Sequence, residues 1–245
     1  MTEQESDVRL AARLATEAGA ILLALQRSGE SGGKELGNRG DAIANAFLMK
    51  ALHDLRGDDA ILSEEEKDDQ SRLSVKRVWI IDPLDGTREY SEGRSDWAVH
   101  VALAIDGVAT VGAVALPGLD LTLCSGTPLK LSAPNDPLKM LVSRTRPAAQ
   151  AVAVAKAIGA ELLPMGSAGA KAMAVVRGEA DIYLHTGGQY EWDNCAPVAV
   201  AQAAGLHCSR VDGSPLIYNC ADTYLPDLLI CRKDRANEIL AMVKG

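Results

Sequence analysis

Aromatic side chains are scarce in this sequence: three Trp, five Tyr and one Phe among 245 residues. A packed core must therefore be built mainly from Ala, Val, Leu and Ile. Basic residues are in deficit as well, 25 Lys and Arg against 33 Asp and Glu, for a net charge of −8. That balance argues against a nucleic-acid polymer as partner, because such binding draws its affinity from Lys and Arg neutralising phosphates. A small anionic ligand remains compatible if metal ions reverse the local charge. No apolar run approaches the ~20 residues of a membrane span. The start, MTEQESDVRL, lacks the basic and then apolar pattern of a signal peptide, so a cytoplasmic location is expected. Five cysteines, an odd number without any CxxC, suggest neither a disulfide framework nor a zinc site. The four histidines are scattered and read as structural.

What is present is ordinary for a soluble globular chain, 47% hydrophobic and 24% charged. The length suits one large domain or two small ones. Residues 8–27 carry Val8, Ala11, Leu14, Ala15, Ala18, Ile21, Leu22 and Leu25 on one side, which predicts an amphipathic helix. A Gly-rich loop is expected from Ser28 to Gly40, with Asp41 opening a second helix that runs to about Arg56. Val78-Trp79-Ile80-Ile81 is continuously apolar, as a strand buried on both faces would be. Residues 97–105 and 108–116 flank Asp106-Gly107, a strong hairpin signal, and Leu121–Cys124 extends the meander. Ser132–Pro137 is the best linker. Beyond it, strands at 139–143, 180–184 and 227–231 alternate with helices at 148–158, 168–177, 194–204 and 234–243. The expected fold is α/β overall: an α+β half with an antiparallel sheet over 1–132, and an α/β half over 133–245.

The densest chemical signal is Trp79-Ile80-Ile81-Asp82-Pro83-Leu84-Asp85-Gly86-Thr87. A buried strand ends in two carboxylates three residues apart, and Pro83 removes a backbone donor and stops the ladder. Carboxylates crowded by a turn repel each other and call for a cation, and oxygen-only ligands select Mg²⁺, Mn²⁺ or Ca²⁺. Gly86 permits close approach to a ligand, and backbone N–H groups at such a turn suit a phosphate. A helix-capping turn with incidental acids would look the same in isolation. Glu64-Glu65, followed by Glu66, Asp68 and Asp69, alone reads as a solvated acidic loop. Trp192-Asp193-Asn194-Cys195-Ala196-Pro197 alone reads as a helix start, with Asp193 as N-cap and Pro197 in the first turn. Gly29-Glu30-Ser31-Gly32-Gly33 formally matches a nucleophile elbow but has no strand before it. Gly32-Gly33-Lys34-Glu35 lacks both the first Gly and the Ser/Thr of a P-loop.

Taken together, Asp41, Glu64-Glu65, Asp82–Thr87 and Trp192–Pro197 resemble, in order and over nearly the whole chain, the signature of the lithium-sensitive inositol monophosphatase superfamily. The resemblance implies a layered αβαβα sugar-phosphatase fold and a Mg²⁺-dependent phosphomonoesterase with two to three ions per site. It assigns Glu64, Asp82 and the Leu84 carbonyl to one Mg²⁺, and Asp82, Asp85 and Asp193 to a second. Asp41 would reach a third through water. Thr87 with Glu64 would orient the attacking water, and the amides of Gly86 and Thr87 would hold the phosphate.

Within the superfamily, Val142-Ser143-Arg144, Gly166-Ser167-Ala168-Gly169-Ala170-Lys171 and the WDNCAP form of the last motif resemble CysQ-type phosphatases of 3′-phosphoadenosine 5′-phosphate (PAP). Ser143, Arg144, Gly166, Ser167 and Lys171, with Asp85 and Asp193, are then the expected substrate residues. Arg144 and Lys171 supply charge that a bisphosphate needs more than a monophosphate does. Inositol monophosphate and fructose 1,6-bisphosphate are the alternative substrates. Sulfate assimilation is the setting that a PAP substrate implies, and a homodimer is the assembly left open. A regulatory binding protein on the same fold is the alternative of a different class. Such repurposing tolerates loss of metal ligands, and here every ligand position is filled.

Overall fold

The structure is a computed structural model that describes residues 5–244. Helices α1 (Asp7–Ser28) and α2 (Gly33–Leu55) lead into a five-stranded sheet of order β1-β2-β3-β4-β5. Its strands are β1 (Ala60–Ser63), β2 (Arg77–Asp85), β3 (Ala98–Ile105), β4 (Val108–Leu116) and β5 (Leu121–Cys124), with the short helix α3 (Thr87–Ser91) after β2. β1 runs parallel to β2, and the other pairs are antiparallel. Asp106 and Gly107 both adopt positive φ, 49° and 80°, as the tight β3–β4 turn requires.

A second five-stranded sheet has β6 (Lys139–Ser143), β7 (Glu161–Met165), β8 (Ile182–His185), β10 (His207–Ser209) and β12 (Leu228–Cys231) in the order β10-β12-β8-β6-β7. A two-stranded ribbon pairs β9 (Gln189–Tyr190) with β11 (Tyr224–Leu225). Helices α4 (Ala149–Ile158), α5 (Ala168–Val176), α6 (Glu191–Ala203) and α7 (Ala236–Lys244) complete the chain.

Side-chain alternation along the strands generates five layers. Trp79 and Ile81 of β2 join the core under α1 and α2, while Val78 and Ile80 join the core with α5 and α6. The inner face of the second sheet, through Leu141, Tyr183, Leu228 and Ile230, closes that same central core. Its outer face, through Met140, Ile182, Leu184 and Leu229, packs on residues of α4 and α7. The fold is thus α/β with helices, sheet, helices, sheet and helices in succession. β2, with its unbroken apolar run Val78–Ile81, and β12, apolar throughout, each lie between two cores, as burial on both faces predicts.

The stretch expected as a Gly-rich loop is instead the first part of α2. Asp41 lies well inside that helix rather than opening it. The glycines serve contact rather than flexibility. A Cβ at Gly37 would stand 2.7 Å from Ser91 Oγ and 2.8 Å from Thr87 Cγ2, and one at Gly40 would stand 2.9 Å from Tyr90 Cε1. These positions, three apart on one helix face, let α3 approach the α2 backbone closely. Each glycine costs about 1 kcal/mol of helix propensity, a deficit that tertiary packing overrides. Among the described residues, no helix is long and apolar enough to cross a membrane.

Candidate active site

The parallel pair β1–β2 brings two acidic segments to one sheet end. Ser63 pairs with Ile81, and the next residue, Glu64, donates its backbone N–H to the Ile81 carbonyl at 3.3 Å. Glu64 therefore emerges beside Asp82. Asp82 is fully buried, and its Oδ1 accepts the Leu84 N–H at 3.0 Å. The Leu84 carbonyl accepts the Thr87 hydroxyl at 3.2 Å. Gly86, with φ 90°, turns the chain from β2 into α3. The carboxylate oxygens of Asp82, Asp85 and Asp193 come within 4.8 Å of one another.

Asp85 is tied to the C-terminal half of the chain. It accepts the Ala168 and Gly169 N–H groups at 3.0 and 2.6 Å and the Ser167 hydroxyl, which places a carboxylate at the start of α5. Ser167 also caps that helix by accepting the Ala170 N–H at 2.9 Å. His100, buried on β3, points Nδ1 at the Trp192 carbonyl (3.0 Å) and Nε2 at Asp85 (3.3 Å). A carbonyl only accepts, so Nδ1 carries a proton. Nε2 lies off hydrogen-bond alignment and is a buried nitrogen without a bonded partner. His100 thus sits between Asp85 and the start of α6, a role invisible in the sequence because its partners lie 15 and 92 positions away.

Asp193 is not the N-cap of α6. Tyr190 occupies that position, and Asp193, third in the helix, reaches back to accept the Tyr190 N–H at 2.6 Å. Pro197 correspondingly falls inside the helix rather than in its first turn. The helix starts earlier because the β9–β11 ribbon ends directly at its entrance, and Glu191 N–H donates to the Thr223 carbonyl.

The carboxylates of the site crowd one another. Burial first, and then the charges of Glu64, Asp85 and Asp193, push Asp82 well above the ordinary range. Burial and Asp193 raise Glu64 to about 7, burial and Glu65 raise Asp41 to about 7, and burial and Asp85 raise Asp193 to about 6. Asp85 goes the other way, to about 2: burial opposes its charge, but His100, the Ser167 hydroxyl and Lys171 outweigh it. One committed anion among reluctant ones is a donor set whose crowded charge a cation would balance. The donors are all oxygens, so the set fits a hard divalent ion.

The remaining candidates divide. Asp41 faces Thr87 and Glu65 across the α2–α3 contact. Ser143 ends β6, its hydroxyl accepting the Arg146 N–H at 3.3 Å. Arg144 reaches the first half of the chain, bonding Glu89 at 3.0 Å and also Asp96. Asp96 further accepts the Gly166 N–H at 2.7 Å. Lys171, expected on the substrate, is 5% exposed and donates to the Gly166 (3.1 Å) and Ser167 carbonyls. Its burial pulls its pKa down, and Tyr183 lies 5.3 Å from its ammonium. Its charge acts on the site from beneath the 166–167 turn.

Comparison with known proteins agrees with this geometry. The inositol monophosphatase family model matches residues 3–241. A 3′-phosphoadenosine 5′-phosphate phosphatase of Mycobacterium leprae is 48% identical across 98% of this chain and 94% of its own length. The 3′(2′),5′-bisphosphate nucleotidase CysQ of Escherichia coli K12 is 27% identical across 76% of this chain and 80% of its own. Among solved structures, CysQ of Bacteroides thetaiotaomicron superposes with a TM-score of 0.80 at 25% identity, covering 91% of this chain and 96% of that one. This chain belongs to the inositol monophosphatase family and is a phosphoric monoester hydrolase.

Proposed function

We propose that the chain hydrolyses the 3′-phosphate of PAP to AMP and inorganic phosphate, with Mg²⁺ as cofactor. The observation that carries the metal half of this reading is the convergence of Asp82, Asp85 and Asp193 within 4.8 Å. The substrate half rests on the 48% identity to a PAP phosphatase.

Glu64, Asp82, Asp85, Asp193 and the Leu84 carbonyl would hold two to three ions, with Asp41 behind them. The chemistry supplied by bound Mg²⁺ is Lewis acidity toward water and phosphoryl oxygens. The protein's own groups supply position and proton handling. Thr87 Oγ1 donates to the Leu84 carbonyl, which leaves its lone pairs to accept from a water. Glu64, which emerges beside Asp82 at the same sheet end, would orient that water together with Thr87. The amides of Gly86 and Thr87 would bind the phosphate where α3 begins.

Ser143 and Arg144 would meet the 5′-phosphate. Arg144 is already shared between Glu89 and Asp96, so an incoming phosphate exchanges with a carboxylate rather than filling a free fork. The test is phosphate release from PAP with Mg²⁺ and with excess EDTA. Turnover confined to the Mg²⁺ arm is expected, and undiminished turnover in EDTA refutes the mechanism.

A further inference from the structure

Nine aromatic residues serve the whole chain. Trp79, Trp97, Tyr90, Tyr183 and Tyr218 are buried, and Phe47 packs against the α1–α2 core. The other three, Tyr190, Trp192 and Tyr224, form one cluster at the entrance of α6, beside Asp193. Tyr190 and Trp192 stack with ring centroids 4.9 Å apart and planes 10° from parallel. Tyr224, directly opposite Tyr190 in the β9–β11 ribbon, meets it edgewise at 5.9 Å. Tyr190 and Tyr224 nevertheless leave 46% and 47% of their surface to solvent. A chain this short of aromatics gains nothing in core packing from two rings so exposed.

The cluster is also held rigid. The buried Glu191 carboxylate accepts the Asn219 and Cys220 N–H groups at 2.6 and 2.7 Å. Arg72, buried as well, bonds the Asn219 side chain (2.8 Å) and the Cys220 carbonyl (2.9 Å). These bonds fix the segment leading into Tyr224 against the start of α6. The Tyr190 N–H bonds Asp193, which ties the backbone at the start of the cluster to a residue of the acidic set.

We propose that Tyr190, Trp192 and Tyr224 form a stacking subsite for the purine base of a nucleotide substrate, an inference that rests on the nucleotide-phosphatase reading above. Every nucleobase presents a π-face to a preorganised aromatic surface, and such stacking needs no base-specific hydrogen bonds. The base of a nucleoside 3′-phosphate lies one ribose from the scissile ester, and Tyr190 and Trp192 lie within one helical turn of Asp193, with Tyr224 paired to Tyr190. Inositol or fructose phosphates offer no π-face, so the subsite selects nucleotides from polyol esters.

The test compares Tyr190→Ala and Tyr224→Ala with their Phe counterparts, on PAP and on glycerol 2-phosphate, which has no base. The Ala variants should raise KM for PAP about tenfold, with kcat within about twofold, and the loss in kcat/KM should be at least fivefold greater on PAP than on glycerol 2-phosphate. The Phe variants should restore most of the affinity. Calorimetric titration of AMP, which keeps the base but lacks the 3′-phosphate, into the Mg²⁺-loaded protein should show the same ordering without turnover. Wild-type protein that turns over PAP, with Ala variants equally impaired on both esters or on neither, overturns the subsite alone. Wild-type protein that ignores PAP overturns the nucleotide reading and the subsite with it.

Discussion

Replacing Asp193 by Asn should stabilise the metal-free protein at pH 8 and leave it unchanged at pH 4. Asp193 rises from 3.8 to about 6 in the folded chain, through burial and the neighbouring Asp85. At 1.36 kcal/mol per pH unit, the folded state loses about 3 kcal/mol as the pH climbs from below 3.8 to above 6. The sign follows from proton counting. Between those values the unfolded chain has released the proton and the folded chain still holds it, so stability falls with rising pH. Asn is the neutral isostere and keeps an oxygen for the Tyr190 N–H. Loss of a negative charge in the first turn of α6 costs roughly 0.3–1 kcal/mol of helix-dipole stabilisation. The expected net gain at pH 8 is about 2 kcal/mol, or roughly 4–8 °C in Tm for a chain of this size. Thermal unfolding in EDTA at pH 4 and pH 8 measures it. Millimolar Mg²⁺ at pH 8 should reverse the order, because only the wild type keeps the full ligand set. A variant less stable than wild type at pH 8 in EDTA, or a Tm gap independent of pH, refutes the account of the cluster.

Gly37→Ala should lower kcat several-fold while changing Tm little, since about 1 kcal/mol of helix propensity offsets the overpacking as the new methyl displaces Thr87. Arg144→Ala should cost roughly tenfold in kcat/KM on PAP (~1.4 kcal/mol) and also lower Tm, because Glu89 and Asp96 lose their shared partner. Steady-state kinetics and a melt separate the two effects. Ca²⁺ should compete with Mg²⁺ and support little turnover, because its looser, higher coordination suits an in-line displacement poorly; Ca²⁺ titration at fixed Mg²⁺ tests this.

Asp82, Asp85 and Asp193, which the structure brings within 4.8 Å, were legible as a set only through the order of the motifs and the family they resemble, since each segment alone reads as a capping turn or helix start. The burial of β2 on both faces and the Asp106-Gly107 hairpin were legible because an unbroken apolar run and a turn dipeptide are local patterns. The start of α2 was not, because Gly33, Gly37 and Gly40 signal a loop locally, and the justification of Gly37 and Gly40, contact with α3, is tertiary. The strands β9, β10 and β11 span two or three residues each, too short for any periodicity to show. His100 and the burial of Lys171 depend on partners brought together only by the packing of α5 and α6 between the sheets.

The most direct test of the central claim is kcat/KM for PAP, inositol 1-phosphate and fructose 1,6-bisphosphate, measured side by side with Mg²⁺ and with EDTA. The account predicts turnover in Mg²⁺ alone, with PAP preferred by at least tenfold. Equal or greater activity on inositol 1-phosphate, or activity that survives EDTA, would contradict it.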